Sequence, residues 1–217
     1  MKIHLLFYLF GIILSNDIIF VGDIRMQEML NILFGMELST YTFLSHRGYC
    51  IMSTESISYE GFEIQGTTTD YLNSLLGNGL PNESLNKQLK NAKDGTNIFF
   101  KMSIKDLYSV DSIIIYCGKI ADKYPNLNFY VISLVGVKED KTDIKNSDIR
   151  EFNKIMENRR TLAEFPNMKY KSILYNDDPT QVVVNNQVYD ILNYTTDGIG
   201  FFKAGYQKIF AAMVEGL

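Results

Sequence analysis

Residues 17–30 read DIIFVGDIRMQEML, and the segment changes character in its middle. Four apolar residues, Ile18 to Val21, run into Gly22-Asp23, after which Met26, Met29, Leu30 and Leu33 recur at helical spacing. A buried strand, a tight glycine turn and a helix form a place to present a reactive side chain or to bind an anion. A Ser, Thr or Lys at the tip would make chemical sense; the sequence has Ile24, which carries no nucleophile and no titratable proton. Other chemistry-bearing types are sparse. Two histidines, His4 and His46, rule out a histidine-rich metal site, and two cysteines, Cys50 and Cys117, make neither a disulfide scaffold nor a metal cluster. Two partly buried thiols is the favoured reading of that pair, with a single bridge as the alternative. Ser45 and His46 are adjacent, and neighbours on an extended segment point to opposite faces, so they make a poor nucleophile–base pair. No metal and no cofactor is implied.

The elements that must position these residues alternate between strand and helix. After the first strand and helix, residues 40–44 read as a short strand ending near Gly48, and residues 53–81 as a polar surface excursion with a helix at 70–76. Residues 97–104, NIFFKMSI, follow the turn signal Asp94-Gly95 and predict a buried strand. The next run, SIIIYCG, resembles a strand in composition because of its β-branched isoleucines. Its periodicity is helical instead: Val110, Ile113, Ile114, Cys117, Ile120, Ala121 and Tyr124 share a face, Ser109 suits the N-cap, and Pro125 ends the run. Gly118 is a mild cost inside that helix. Residues 128–134 predict a strand, a helix capped by Ser147 carries Ile149, Phe152 and Met156, and Arg159-Arg160 suit its C-terminal end. Residues 170–175 predict a fifth strand, and Phe202, Tyr206, Ile209, Phe210 and Met213 mark a last helix. Repeated strand–helix–strand units imply a parallel sheet with helices on both faces: an α/β, three-layer sandwich of about five strands.

Length and composition bound the rest. The chain has 217 residues, 46% hydrophobic and 21% charged, which suits one globular domain, here 16–217 with the excursion inserted near 53–81. A net charge of -4 and a pI near 5.3, with no basic stripe, exclude a nucleic-acid surface. Lys2 followed by the apolar run 5–14 has the charge and length of a secretory signal and is too short to span a bilayer. Residues 1–15 therefore read as a signal or anchor, placing the chain outside the cell or on its envelope. The alternative is a segment docked on a cytoplasmic domain.

In a parallel sheet, ligands sit beyond the carboxyl ends of the strands. There the sequence has Gly22-Asp23-Ile24-Arg25, then Gly48-Tyr49, then Ser103 to Leu107, then Asp197-Gly198-Ile199-Gly200 before the last helix. These four stretches, in this order, resemble the signature blocks of the SGNH (GDSL-type) hydrolases, from residue 17 onward. That family carries Gly-Asp-Ser, a Gly, Gly-x-Asn-Asp and Asp-x-x-His in those places. The resemblance implies a flavodoxin-like sheet and esterase ancestry, and finds no counterpart for 53–81. It also implies that the chemistry is gone: the family serine falls on Ile24, the oxyanion-hole asparagine on Lys105, the glycine before it on Ser103, and the histidine on Gly200. Only Gly48 and Asp197 of that set remain.

The resemblance gathers Asp23, Arg25, Gly48, Tyr49, Ser103, Lys105, Asp106 and Asp197 around one pocket, with Tyr49 and Tyr108 as stacking surfaces or ordinary packing residues. Three functions follow as expectations. The first is a catalytically inactive protein that binds an acylated glycan or a protein at the cell surface. The second is an esterase acting on acylated carbohydrate, in which Ser103 attacks and a desolvated Lys105 serves as base. The third is an interaction module that makes contact through the 53–81 excursion.

Overall fold

The computed structural model describes residues 18–22, 24–34, 41–45, 57–59, 62–64, 89–102, 104, 107, 110–160, 165–195 and 197–216. The first unit is strand β1 (Ile18–Gly22), helix α1 (Ile24–Phe34) and strand β2 (Tyr41–Ser45). A short antiparallel pair, β3 (Ile57–Tyr59) and β4 (Phe62–Ile64), lies within the polar excursion. The helix expected at 70–76 falls outside the described residues. Next come β5 (Asn97–Lys101), α2 (Val110–Lys123), β6 (Asn128–Ile132), α3 (Asn146–Arg160) and β7 (Met168–Lys171). The chain closes with β8 (Leu174–Tyr175), β9 (Asp178–Val184), β10 (Gln187–Asp190), a 3-10 turn (Ile191–Tyr194) and α4 (Lys203–Val214).

Five strands form one parallel sheet in the order β2-β1-β5-β6-β7, which is the flavodoxin-like arrangement expected from the alternation of elements. The pleat divides its side chains between two cores. Ile19, Val21, Ile98, Phe100, Phe129 and Val131 face α2 and α3, where they meet Ile114, Cys117, Ile120, Ile149, Phe152 and Met156. Ile18, Phe20, Phe99 and Ile132 face α1 and α4, where Met26, Met29, Ile209, Phe210 and Met213 cover them. Aromatic rings stack along both faces: Phe20 lies 5.6 Å from Phe99, and Phe100 lies 5.9 Å from Phe129. Gly118 has a packing reason, since the Phe165 ring lies within 2.4 Å of where a Cβ would stand.

Three expectations need correction. The strand expected at 97–104 stops at Lys101, although Met102, Ile104 and Leu107 remain buried. Ser147 is not the cap of α3; it is the second residue of that helix, and its hydroxyl approaches Asp148 at 3.2 Å. The fifth strand is β7, and the 170–175 segment breaks after Lys171. Tyr170 packs into the α2–α3 core and Leu174 into the α1–α4 core. A regular strand would place two residues four apart on one face, so the chain must turn between them.

Sequence reading also missed the antiparallel sheet of order β10-β9-β8. Its turns fall on Asn176-Asp177 and Asn185-Asn186, all four at positive φ, as two-residue hairpin loops require. Leu174, Val182, Val184 and Ile191 anchor it in the core beside α4. Cys117 is fully buried, and Cys50 lies outside the described residues. Among the described residues no helix is long and apolar enough to cross a membrane; residues 1–15 are not among them.

Candidate functional site

The carboxyl ends of the parallel strands align in one row. Gly22 pairs with Ser45 on one side and Lys101 on the other, and Lys101 pairs with Ile132. Just beyond that row α1 begins at Ile24, so the sharp strand-to-helix connection read from the sequence is present. β6 runs on into residues 133–137, all buried. Two asparagine side chains hold this extension to α3. Asn153 accepts from Leu134 N–H at 2.8 Å and donates to Leu134 C=O at 2.9 Å, and Asn146 does the same for Val137 at 2.9 Å and 2.9 Å. The strand end therefore has a fixed partner where sheet pairing stops.

The loop 195–200 lies against this extension. Lys138 N–H donates to Gly198 C=O at 3.0 Å, and its ammonium donates to Thr195 C=O at 2.9 Å. Gly198 sits at φ +85°, and a Cβ there would come within 2.6 Å of Lys141 Cβ, so both backbone and space call for glycine. Asp197 organises the loop: its Oδ1 accepts from Ile199 N–H at 2.9 Å, Gly200 N–H at 2.7 Å and the Thr195 hydroxyl at 3.2 Å. The Ile199 N–H above all, with Gly200 and Thr195 adding, holds its carboxyl below the usual range against the opposing effect of burial.

Two residues that sequence reasoning did not assign to the site complete the arrangement. Tyr206, on the first turns of α4, donates its hydroxyl to Glu28 Oε2 on α1 at 2.9 Å. Burial, and secondarily the Glu28 charge, raises the phenol, while the guanidinium of Arg25 opposes that rise. A Cβ at residue 200 would stand 3.3 Å from Asp197 Oδ2 and 3.6 Å from Glu28 Oε2. Two carboxylates from opposite ends of the chain thus flank the space that a side chain at position 200 would enter. The available signal was spacing: Glu28 is one turn beyond Ile24 on α1, and residues four apart share a helix face.

Of the candidate pocket residues, Arg25 is buried on α1 and Asp197 is exposed on the loop beside Gly200. Asp23, Gly48, Tyr49, Ser103, Lys105 and Asp106 lie outside the described residues, as do His46 and Tyr108. Among the described residues no group of three or more His, Cys, Asp or Glu side chains is placed to hold a metal ion.

No family model matches the sequence, and no curated protein matches it. Solved structures do. A Streptococcus pneumonia protein provisionally described as a platelet activating factor superposes with a TM-score of 0.57 at 19% identity, over 98% of this chain and 89% of that one. A member of the lipolytic protein G-D-S-L family from Veillonella parvula gives 0.51 at 13% identity, over 93% of this chain and 97% of that one. The fold is that of the SGNH hydrolases. A lipase/acylhydrolase from Enterococcus faecalis agrees, with a TM-score of 0.51 at 14% identity over 92% of this chain and 94% of that one. Within the SGNH fold, Asp197 and Gly200 stand in the loop before the last helix, where the sequence blocks put the family's Asp-x-x-His.

Proposed function

We propose that this SGNH-fold chain binds a glycan at the cell envelope without hydrolysing it. The observation that carries the reading is Gly200 beside Asp197. Serine-type ester hydrolysis needs a hydroxyl, a base to take its proton, and donors for the tetrahedral oxyanion. With glycine at position 200 there is no imidazole for Asp197 to orient, and the carboxylate instead accepts from its own loop. Ile24 cannot attack a carbonyl, and Lys105, as a flexible point charge, presents a different geometry from an asparagine amide. Around position 200 the fold brings together the Asp197 and Glu28 carboxylates, with the Tyr206 hydroxyl on Glu28, polar groups that suit a hydroxyl-rich ligand. The signal-like residues 1–15 support the envelope location, and the lipase/acylhydrolase name of the Enterococcus faecalis structure supports an acylated ligand.

Two measurements on the full chain test this. Turnover of p-nitrophenyl acetate should not exceed a blank, and calorimetry with a soluble N-acetylglucosamine tetramer should show saturable binding. A saturable hydrolytic rate that disappears in Ser103→Ala would overturn the reading and move the function to the Ser103–Lys105 pair.

A further inference from the structure

Phe202 has the most exposed of the large apolar side chains among the described residues, at 49% of full accessibility. It also occupies the N-cap of α4, with extended backbone and no side-chain hydrogen bond to the helix. A Ser, Thr, Asp or Asn there would satisfy an open N–H group; a phenyl ring does not, and it leaves apolar surface in water. Local choices that run against stability concentrate where a protein does its work. The backbone beneath the ring is firmly held. Phe202 N–H donates to Tyr194 C=O at 2.7 Å, and Phe201 is buried edge-on against Tyr206 with ring centres 5.7 Å apart. Gly205 lets the helix close on Tyr194, whose Cβ would be 2.7 Å from an added Cβ. The ring is thus carried on a pre-ordered segment, which lowers the entropy lost when a ligand packs against it. It stands two residues beyond Gly200, on the same loop as Asp197.

We propose that Phe202 is the stacking residue of this site, an apolar platform for the C–H face of a sugar ring. This rests on the glycan-binding reading above. The test is calorimetry with the N-acetylglucosamine tetramer on wild type and Phe202→Ser, together with each protein's thermal midpoint. Affinity should fall about five- to tenfold in Phe202→Ser, the size of a lost aromatic contact. The thermal midpoint should hold or rise, because serine caps the helix that phenylalanine leaves open. Phe202→Trp supplies a second readout: the chain has no other tryptophan, so a shift in emission that saturates with the tetramer reports contact at this position. Wild-type binding with unchanged affinity in Phe202→Ser and static emission in Phe202→Trp would overturn the stacking role and leave the glycan reading standing. A fall in the Phe202→Ser midpoint would also overturn it, since the ring would then be a packing residue. Absence of tetramer binding by the wild type would remove both.

Discussion

Gly200→His would place an imidazole against two carboxylates, and the size of its response follows from the geometry. A Cβ at position 200 would lie 3.3 Å from Asp197 Oδ2 and 3.6 Å from Glu28 Oε2. The glycine is not among those at positive φ, which among the described residues are Gly95, Gly198 and Gly216, so the backbone accepts a side chain. Asp197 must yield by a few tenths of an ångström, within reach of a side-chain carboxylate. With the ring nitrogens on the order of 5 Å from each carboxylate, each charge stabilises the imidazolium by about 1 kcal/mol in a largely solvated setting. Two such charges raise the histidine by roughly 1.5 units, from about 6.5 to about 8. The stabilisation is fully present below about pH 6.5 and is lost as pH rises through about 8. Glu28→Gln on that background should remove about half of the rise. The assay is an NMR titration of the imidazole protons, with only His4 and His46 as competing signals. A value at or below about 6.5, or one indifferent to Glu28→Gln, would refute the convergence of Glu28 and Asp197 on this position. The result also bears on restoring catalysis. The triple variant Ile24→Ser, Lys105→Asn, Gly200→His would hold its new base mostly protonated at neutral pH. Added Glu28→Gln should raise its weak esterase rate, and Ile24→Ser alone should give none.

Other perturbations have definite expected signs. Gly198→Ala should destabilise by more than about 1 kcal/mol in denaturant titration, because it combines a positive φ with a clash against Lys141. Asn153→Ala should cost about 2–4 kcal/mol, since it leaves the buried N–H and C=O of Leu134 without their partner. Burial raises both Tyr170 and Tyr206 above their ordinary value of 10.0. A phenol raised in the folded state contributes stability that is present below the unfolded value and lost as pH rises through the folded one. Stability should therefore decline above about pH 10, and less steeply in Tyr206→Phe, as followed by chemical unfolding at stepped pH.

The main sheet was legible because its signals agree with one another. The run from Val110 to Tyr124 shows how conflicts resolve: β-branched composition points to a strand, helical spacing points to a helix, and α2 follows the spacing. Where Ile114, Cys117, Ile120 and Ala121 must all meet one core, only a helix can present them together. The small antiparallel sheet was less legible because β10 is largely exposed and β9 runs Val182-Val183-Val184 without an apolar–polar alternation. The Asn185-Asn186 pair was the readable clue, as a two-residue turn between Val-rich and Tyr-containing segments. Within the site, Asp197 and Gly200 were found from the resemblance of their stretch to the family's Asp-x-x-His block before the last helix. The Tyr206–Glu28 bond could not, because its partners are 178 residues apart and meet only once α1 and α4 lie side by side.

The strand order has a consequence for how the chain is made. β1 is an interior strand, held by β2 on one edge and β5 on the other, yet Ile18 and its partner Asn97 are about eighty residues apart. At about 5–20 residues per second, β2 leaves the ribosome several seconds before β5 does. During that interval β1 and β2 form at most a two-stranded ribbon, with the backbone edge of Ile18–Gly22 open and Ile19 and Val21 uncovered. The core face of these residues closes only when α2 and α3 arrive still later in synthesis. A nascent chain in which β5 has not yet emerged would therefore present the unpaired edge of β1 to any neighbour, and a bound chaperone would find its target there.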